Sequence, residues 1–208
     1  MKKLISIGLL AVVAIWATQS VASVITVNST NVPVSIPDNN LTGISSVLSG
    51  AALNNLTDVN LTLSIAHTCV PDLHIELLSA GGTRTVLINA FTEGGIFGGL
   101  GCPSGFTSTT LDDEAATNLR VGTAPFTGSF NVDFGAIVNP FDSYDGQSAI
   151  GTWTLFVSDR AGSDVGRLAA WSLTFTGTDA TVPEPESLAL FGVALAGLGL
   201  TRRKPKQA

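Results

Sequence analysis

Two runs of strict alternation meet at one corner of this sequence. Val59, Leu61, Leu63 and Ile65 alternate with Asn60, Thr62 and Ser64. Beyond His67-Thr68-Cys69-Val70-Pro71-Asp72, the residues Leu73, Ile75 and Leu77 alternate with His74 and Glu76. A period of two puts the apolar side chains of each run on one face, the pattern of a half-buried strand. The chain must therefore turn sharply between two strands, where it carries both histidines, one of two cysteines, a proline and a carboxylate. An active site, if the chain has one, is expected here.

The same period recurs through most of the chain. Val24–Val27 reads as a first strand, Ile36-Pro37-Asp38-Asn39-Asn40 as a turn, and Gly43–Leu48 as a second strand. Asn54-Asn55 is expected to turn the chain before Val59–Ile65. Leu73–Leu77 and Thr83–Ile88 flank Ser79-Ala80-Gly81-Gly82 as a hairpin. A glycine-rich loop from Gly94 to Gly105 precedes Thr107–Leu111, the acidic run Asp112-Asp113-Glu114 and a strand near Gly128–Phe134. After a loop at Phe141–Gly146, Trp153, Leu155 and Val157 alternate with threonines and Phe156. A turn at Gly162–Gly166 leads to a last strand with Trp171, Leu173 and Phe175 facing in. The expected fold is an all-β antiparallel sandwich of about eight or nine strands, jelly-roll-like, with Trp153 and Trp171 in its core.

Charge narrows the partners. Charged residues make up 12% of the chain, and the formal net charge is −6. Lys2, Lys3, Arg202, Arg203, Lys204 and Lys206 lie at the ends, leaving four arginines between, and with Glu184 and Glu186 set aside 14 of the 16 acidic residues belong to the body. The body therefore carries about −10, which repels a phosphate backbone and excludes nucleic acid as a partner. Divalent cations suit it better.

The ends read as addresses. Met1-Lys2-Lys3, an apolar stretch from Leu4 to Ala17 and Ser20-Val21-Ala22 form a secretory signal peptide over residues 1–23, with cleavage expected after Ala22 or Ser23. A retained membrane anchor is the alternative reading. At the other end, Val182-Pro183-Glu184-Pro185 precedes an apolar helix over 187–201 and the cations Arg202-Arg203-Lys204. That run is short of the roughly 20 residues a stable span needs. The element resembles the PEP-CTERM sorting signal of Gram-negative bacteria, over 182–206. The resemblance implies that an exosortase recognises Pro183-Glu184-Pro185 and releases the chain after a transient membrane stop, to the cell surface or extracellular matrix. A plain C-terminal anchor is the alternative. Maturation in an oxidising space would pair Cys69 with Cys102.

The ordered motifs of the body carry a second resemblance. They include Ile36-Pro37-Asp38, His67-Thr68 with Asp72-Leu73, Thr110-Leu111-Asp112-Asp113-Glu114-Ala115, Gly151-Thr152-Trp153-Thr154-Leu155 and Leu168-Ala169-Ala170-Trp171-Ser172-Leu173. Together they resemble the P domain (P/homo B) of proprotein convertases and bacterial subtilisin-like proteases, over a domain taken as 24–178. The resemblance implies a jelly-roll sandwich that stands beside a serine-protease domain and stabilises it. Pro71 departs from the glycine that the family often carries before the aspartate of the corner.

Little in the residues supports catalysis. Only His67 and His74 could serve as a base, and no Gly-x-Ser-x-Gly elbow occurs. His67, at a strand end, is expected to bond backbone, and His74, on the outward parity of its strand, to be exposed. No catalytic residue is assigned. The acidic residues suit Ca²⁺, which takes hard oxygen ligands in irregular geometry. The candidate ligands are Asp72, Asp112, Asp113 and Glu114, with Asp159 a further one; a solvated acidic turn is the competing reading. Zinc is disfavoured, because the two cysteines and two histidines fit no finger spacing. The chain is read as an exported, non-catalytic binding or structural module for surface or exopolysaccharide-matrix interactions, processed by signal peptidase and exosortase. The alternatives are an accessory domain for a separate secreted subtilase, and a hydrolase using the acidic cluster.

Overall fold

The computed structural model describes residues 22–89, 101–133 and 138–179, together with Gly192. Residues 1–21 of the expected signal peptide, the helix over 187–201 apart from Gly192, the sorting residues Pro183, Glu184, Pro185, Arg202 and Arg203, and most of the glycine-rich loop lie outside the described residues. Ala22 and Ser23, the last two residues of that expected peptide, are paired with Thr178 and Gly177. Among those described, no helix is long and apolar enough to cross a membrane. Apart from Gly192, the described residues belong to one compact unit, Val21–Ala180.

Ten strands are described: β1 (Ala22–Asn28), β2 (Val34–Ile36), β3 (Asn40–Ser49), β4 (Leu53–His67), β5 (Leu73–Leu78), β6 (Arg84–Asn89), β7 (Phe106–Leu111), β8 (Gly128–Phe130), β9 (Thr152–Asp159) and β10 (Gly166–Asp179). They form two sheets. The first runs β1-β10-β4-β7-β8, with β2 also paired to β10, and the second runs β3-β9-β5-β6. Pairing is antiparallel except between β7 and β8, which run parallel. The two strictly alternating runs became β4 and β5, and the longest strands are β4 and β10.

The core lies between the inward faces. Leu61, Leu63 and Ile65 of β4 and Leu173 and Phe175 of β10 are buried, as are Ile75 and Leu77 of β5 and Leu155 and Val157 of β9. Each such side chain contributes about 1.5–3 kcal/mol by leaving water. Trp153 is fully buried, with its ring centroid 5.1 Å from those of Tyr144 and Phe175. A buried indole still needs a partner for its N–H. Trp153 donates to the Ala149 carbonyl at 3.0 Å and Trp171 to Ser46 Oγ at 2.6 Å. Both tryptophans are core residues, as the sequence indicates.

One local expectation is corrected. Asn54-Asn55 does not turn the chain; both lie inside β4, whose register against β10 shifts where Leu56 and Asn54 face Gly177 and Thr178. Asn55 sits at φ 48°, a left-handed conformation that asparagine tolerates better than most residues. The asparagines make a bulge, which bends a strand without ending it.

Candidate functional site

The corner forms because three devices act on six residues. β4 ends at His67, a 3-10 turn spans Val70–Asp72 with Pro71 in its first turn, and β5 starts at Leu73. Proline fits there because its missing N–H has no partner to lose. The Cys69–Cys102 disulfide, with Cα atoms 4.5 Å apart, ties the turn to the segment before β7. Beside it the Val70 N–H donates to the Pro103 carbonyl at 2.9 Å.

His67 is fixed at both ring nitrogens. The Cys69 N–H donates to Nδ1 at 3.1 Å, so that nitrogen carries a lone pair and the ring proton sits on Nε2. Nε2 lies 3.2 Å from Asp159 Oδ2, and both side chains are wholly excluded from solvent. The other Asp159 oxygen accepts the Ala161 N–H at 3.1 Å. A catalytic histidine needs one nitrogen turned towards a nucleophile. Here the backbone occupies one and a carboxylate the other. The expectation of a structural histidine bonded to backbone agrees with this geometry.

His74 corrects the sequence reading. It is 4% exposed rather than solvated. Nδ1 lies 3.3 Å from Asn89 Oδ1 and Nε2 lies 2.8 Å from Glu76 Oε1, with Arg84 closing the group on the other Glu76 oxygen. Burial alone would raise the Glu76 pKa, but the hydrogen bonds from His74 and Arg84 outweigh it and hold the carboxyl below its usual range. Parity assigned His74 to the outer face correctly. Interior β5 has neighbours on both sides, and His74 stands between Asn89 of β6 and Ser158 of β9.

Asp72 belongs to the corner. Its carboxyl faces that of Asp164 in the β9–β10 turn; these oxygens and the Cys69 sulfur lie within 4.8 Å of one another. That sulfur is bound in the disulfide, which leaves the two carboxylates. Thr68 Oγ1 donates to Asp164, and Asp38 accepts the backbone N–H groups of Ser163 and Asp164. Burial first, then Asp164, raises the Asp72 pKa.

The acidic run lies elsewhere. Leu111 pairs with Leu61, six residues of strand from His67, which is about 20 Å at the rise of a β-strand. Asp112, Asp113 and Glu114 therefore share no site with Asp72 or Asp159, and the expected ligand set divides between two ends of the sandwich. Around the run gather carboxylates that the sequence reading missed. Asp58 is raised by burial and then by Asp112, Glu114 by burial and then by Asp112, and Asp145 by burial and then by Asp142. Asp113 is pushed up to about 7, chiefly by burial. Its Oδ2 accepts the Phe141 N–H at 2.7 Å, while its Oδ1 is buried with no partner. Asn60 Nδ2 donates to Asp58, and Asn60 Oδ1 is likewise buried and unpartnered. Two buried oxygen acceptors near these carboxylates are left unsatisfied, but among the described residues the one group of three ligating side chains close enough to share an ion is Cys69, Asp72 and Asp164 at the corner.

The comparisons bear on the whole sandwich. A family model for the proprotein convertase P-domain matches residues 56–175, and one for the PEP-CTERM protein-sorting motif matches residues 181–204. No curated protein matches the chain. Among solved structures, the chain is similar to the Aeromonas sobria serine protease in complex with its chaperone, with 23% identity and a TM-score of 0.48 over 78% of this chain and 28% of that one. It is also similar to that serine protease by itself, at 21% identity and a TM-score of 0.43, covering 77% of this chain and 28% of that one. A third similarity is to the Gx strain of infectious bursal disease virus, at 16% identity and a TM-score of 0.35, covering 78% of this chain and 33% of that one. The chain thus spans about a third or less of each of these proteins.

Proposed function

Because the chain belongs to the proprotein convertase P-domain family and carries a PEP-CTERM sorting motif, we propose that it is an exported binding module rather than a protease. The sorting motif indicates export, exosortase processing and a cell-surface or extracellular location in a Gram-negative bacterium. P domains are non-catalytic modules of subtilisin-like proteases. The observation that carries the proposal is the state of the two histidines, the only two in the sequence. Each is buried with both ring nitrogens engaged, so neither is poised to activate a nucleophile.

On this reading an exosortase recognises Pro183-Glu184-Pro185, with Arg202 and Arg203 as the stop, and the released sandwich acts in the extracellular matrix. Calcium is part of the proposal. Asp112, Asp113 and Glu114, with Asp58, would hold the ion, which would neutralise carboxylates that otherwise repel one another. Asp72 and Asp159 would take no part in it. The ion's role would be to stabilise the loops at that end of the sandwich.

Family membership also favours a second reading, an accessory domain for a separate secreted subtilase. Capture from isolated extracellular matrix, with the exported chain as bait, separates the two. Retention of a matrix polymer or surface protein supports the binding module. Retention of a subtilase whose activity changes favours the accessory domain, and retention of nothing contradicts both.

A further inference from the structure

The outer face of the five-stranded path β1-β10-β4-β7-β8 has an unusual chemistry. Register places Asn28, Ser172, Thr62, Thr110 and Ser129 in one rank across all five strands. The next rank is Thr26, Thr174 and Asn60, and the one beyond is Val24, Thr176 and Asp58. On the other side of the first rank, Ser64 pairs with Ala170, and Ala66 with Arg167. Asp58 and Arg167, at opposite ends, are the charges among these residues. A protein surface of this area ordinarily carries charges of both signs throughout.

The polar groups are held in order. Thr26 and Thr174 share a hydroxyl hydrogen bond of 2.8 Å, Thr62 and Thr110 one of 2.9 Å, and Ser64 Oγ accepts the Ser108 N–H at 2.9 Å. A hydroxyl offers one proton and two lone pairs, so each bonded pair keeps a donor and several acceptors for solvent or ligand. Neighbouring strands set the rows about 4.8 Å apart. At the Ser64 end the face runs into an open groove of about 710 Å³, lined by Ser64, Ala66, Thr107, Pro125, Arg167 and Ala169.

This chemistry selects a partner. Phosphate polymers need cations, and the face has Arg167 alone. Membranes and most protein partners need apolar or aromatic anchors. Among the described residues the exposed large apolar side chains include no aromatic; Val24 is the one that lies on these ranks and Val165 lines the groove. A neutral polysaccharide is different: its hydroxyls both donate and accept, it carries no charge to be repelled by an acidic chain, and it is extended enough to lie across several strands.

We propose that this face and its groove bind a neutral polysaccharide chain, an inference that rests on the binding-module reading above and assigns it a surface and a ligand class. Without aromatic stacking, each site would be weak and retention would come from many sites along a polymer.

The test uses the exported chain, an insoluble neutral β-glucan, an alginate gel as the acidic counterpart, and total isolated matrix. The wild type is expected to cosediment with the glucan and not with alginate, with little change in high salt, because no ion pairs are involved. Thr62→Val with Thr174→Val keeps shape and β-branching while removing two hydroxyls, and is expected to weaken glucan binding by about tenfold. Should that variant fail to fold, Thr26→Val with Ser129→Ala tests the same face from its margins. Unchanged glucan binding by a folded variant, or preference for alginate, overturns the assignment. A wild type that binds total matrix but no glucan overturns the ligand while leaving the binding-module reading intact. A wild type that binds neither overturns both.

Discussion

His67 and Asp159 are joined at 3.2 Å with neither side chain reachable by solvent, and this pair holds the end of β4 against the end of β9. Around it sit Gly166, whose position leaves no room for a side chain, and the disulfide that closes the corner. A Cβ on Gly166 would stand 2.3 Å from His67 Cδ2 and 2.9 Å from the Ala66 carbonyl. The corner that looked most like chemistry in the sequence is a lock between the two sheets.

Breaking the lock costs stability. His67→Ala leaves Asp159 buried with one oxygen unpaired, and is expected to cost about 3 kcal/mol, since an abandoned buried partner costs more than the bond was worth. Gly166→Ala should do similar damage by displacing the imidazole, with no polar group removed. Urea unfolding of both variants measures it. A loss below about 0.5 kcal/mol in either, the range of an ordinary surface change, would show that the pair does not hold the corner.

The disulfide closes a loop between residues 33 apart in sequence. Loop-closure entropy puts its contribution at about 3–4 kcal/mol. Cys69→Ser with Cys102→Ser should lower the urea midpoint by the corresponding amount, and reductant should do the same to the wild type. A variant as stable as the wild type would mean that the reduced chain keeps the loop closed without the bond.

Acid sensitivity should come from Glu76. Its pKa is lower folded than unfolded, so its contribution is present above the unfolded value, near 4.5, and lost as pH falls through the lower folded value. Glu76→Gln should cost about 1 kcal/mol at neutral pH, and the two proteins should converge in stability at acid pH. A constant difference across the pH range would contradict the assignment.

Calcium should act at Asp113. With a chelator present, Asp113→Asn is expected to stabilise the sandwich by about 1 kcal/mol at pH 8, because the amide removes an ionised carboxyl from a site that raises its pKa to about 7. With calcium present, the wild type should gain thermal stability and the variant should not. Equal melting temperatures of the wild type in calcium and in chelator would leave the acidic run as a solvated turn.

The strands were legible because alternation is a local property. β4, β5, β9 and β10 follow from residue parity, and so does the burial of Trp153 and Trp171. What parity cannot report is whether an outer face is covered, and His74 was misjudged for that reason. The acidic run was visible as three consecutive carboxylates, but Asp58, Asp142 and Asp145 come to it through pairing of β4 with β7 and the Pro140–Tyr144 turn. Asp72 and Asp159 share only their chemistry with the run, and only strand register separates them from it. The hydroxyl ranks are a property of five strands aligned together, so no single stretch of sequence displays them.

Binding in the extracellular matrix is the work proposed for the exported sandwich. It is tested most directly by the fraction of chain retained by the matrix of intact cells as purified exported chain is added in excess. A binding module predicts a large retained fraction that falls as the competitor fills a finite set of sites. A chain found free in the medium, or a retained fraction that does not respond to competitor, would contradict it.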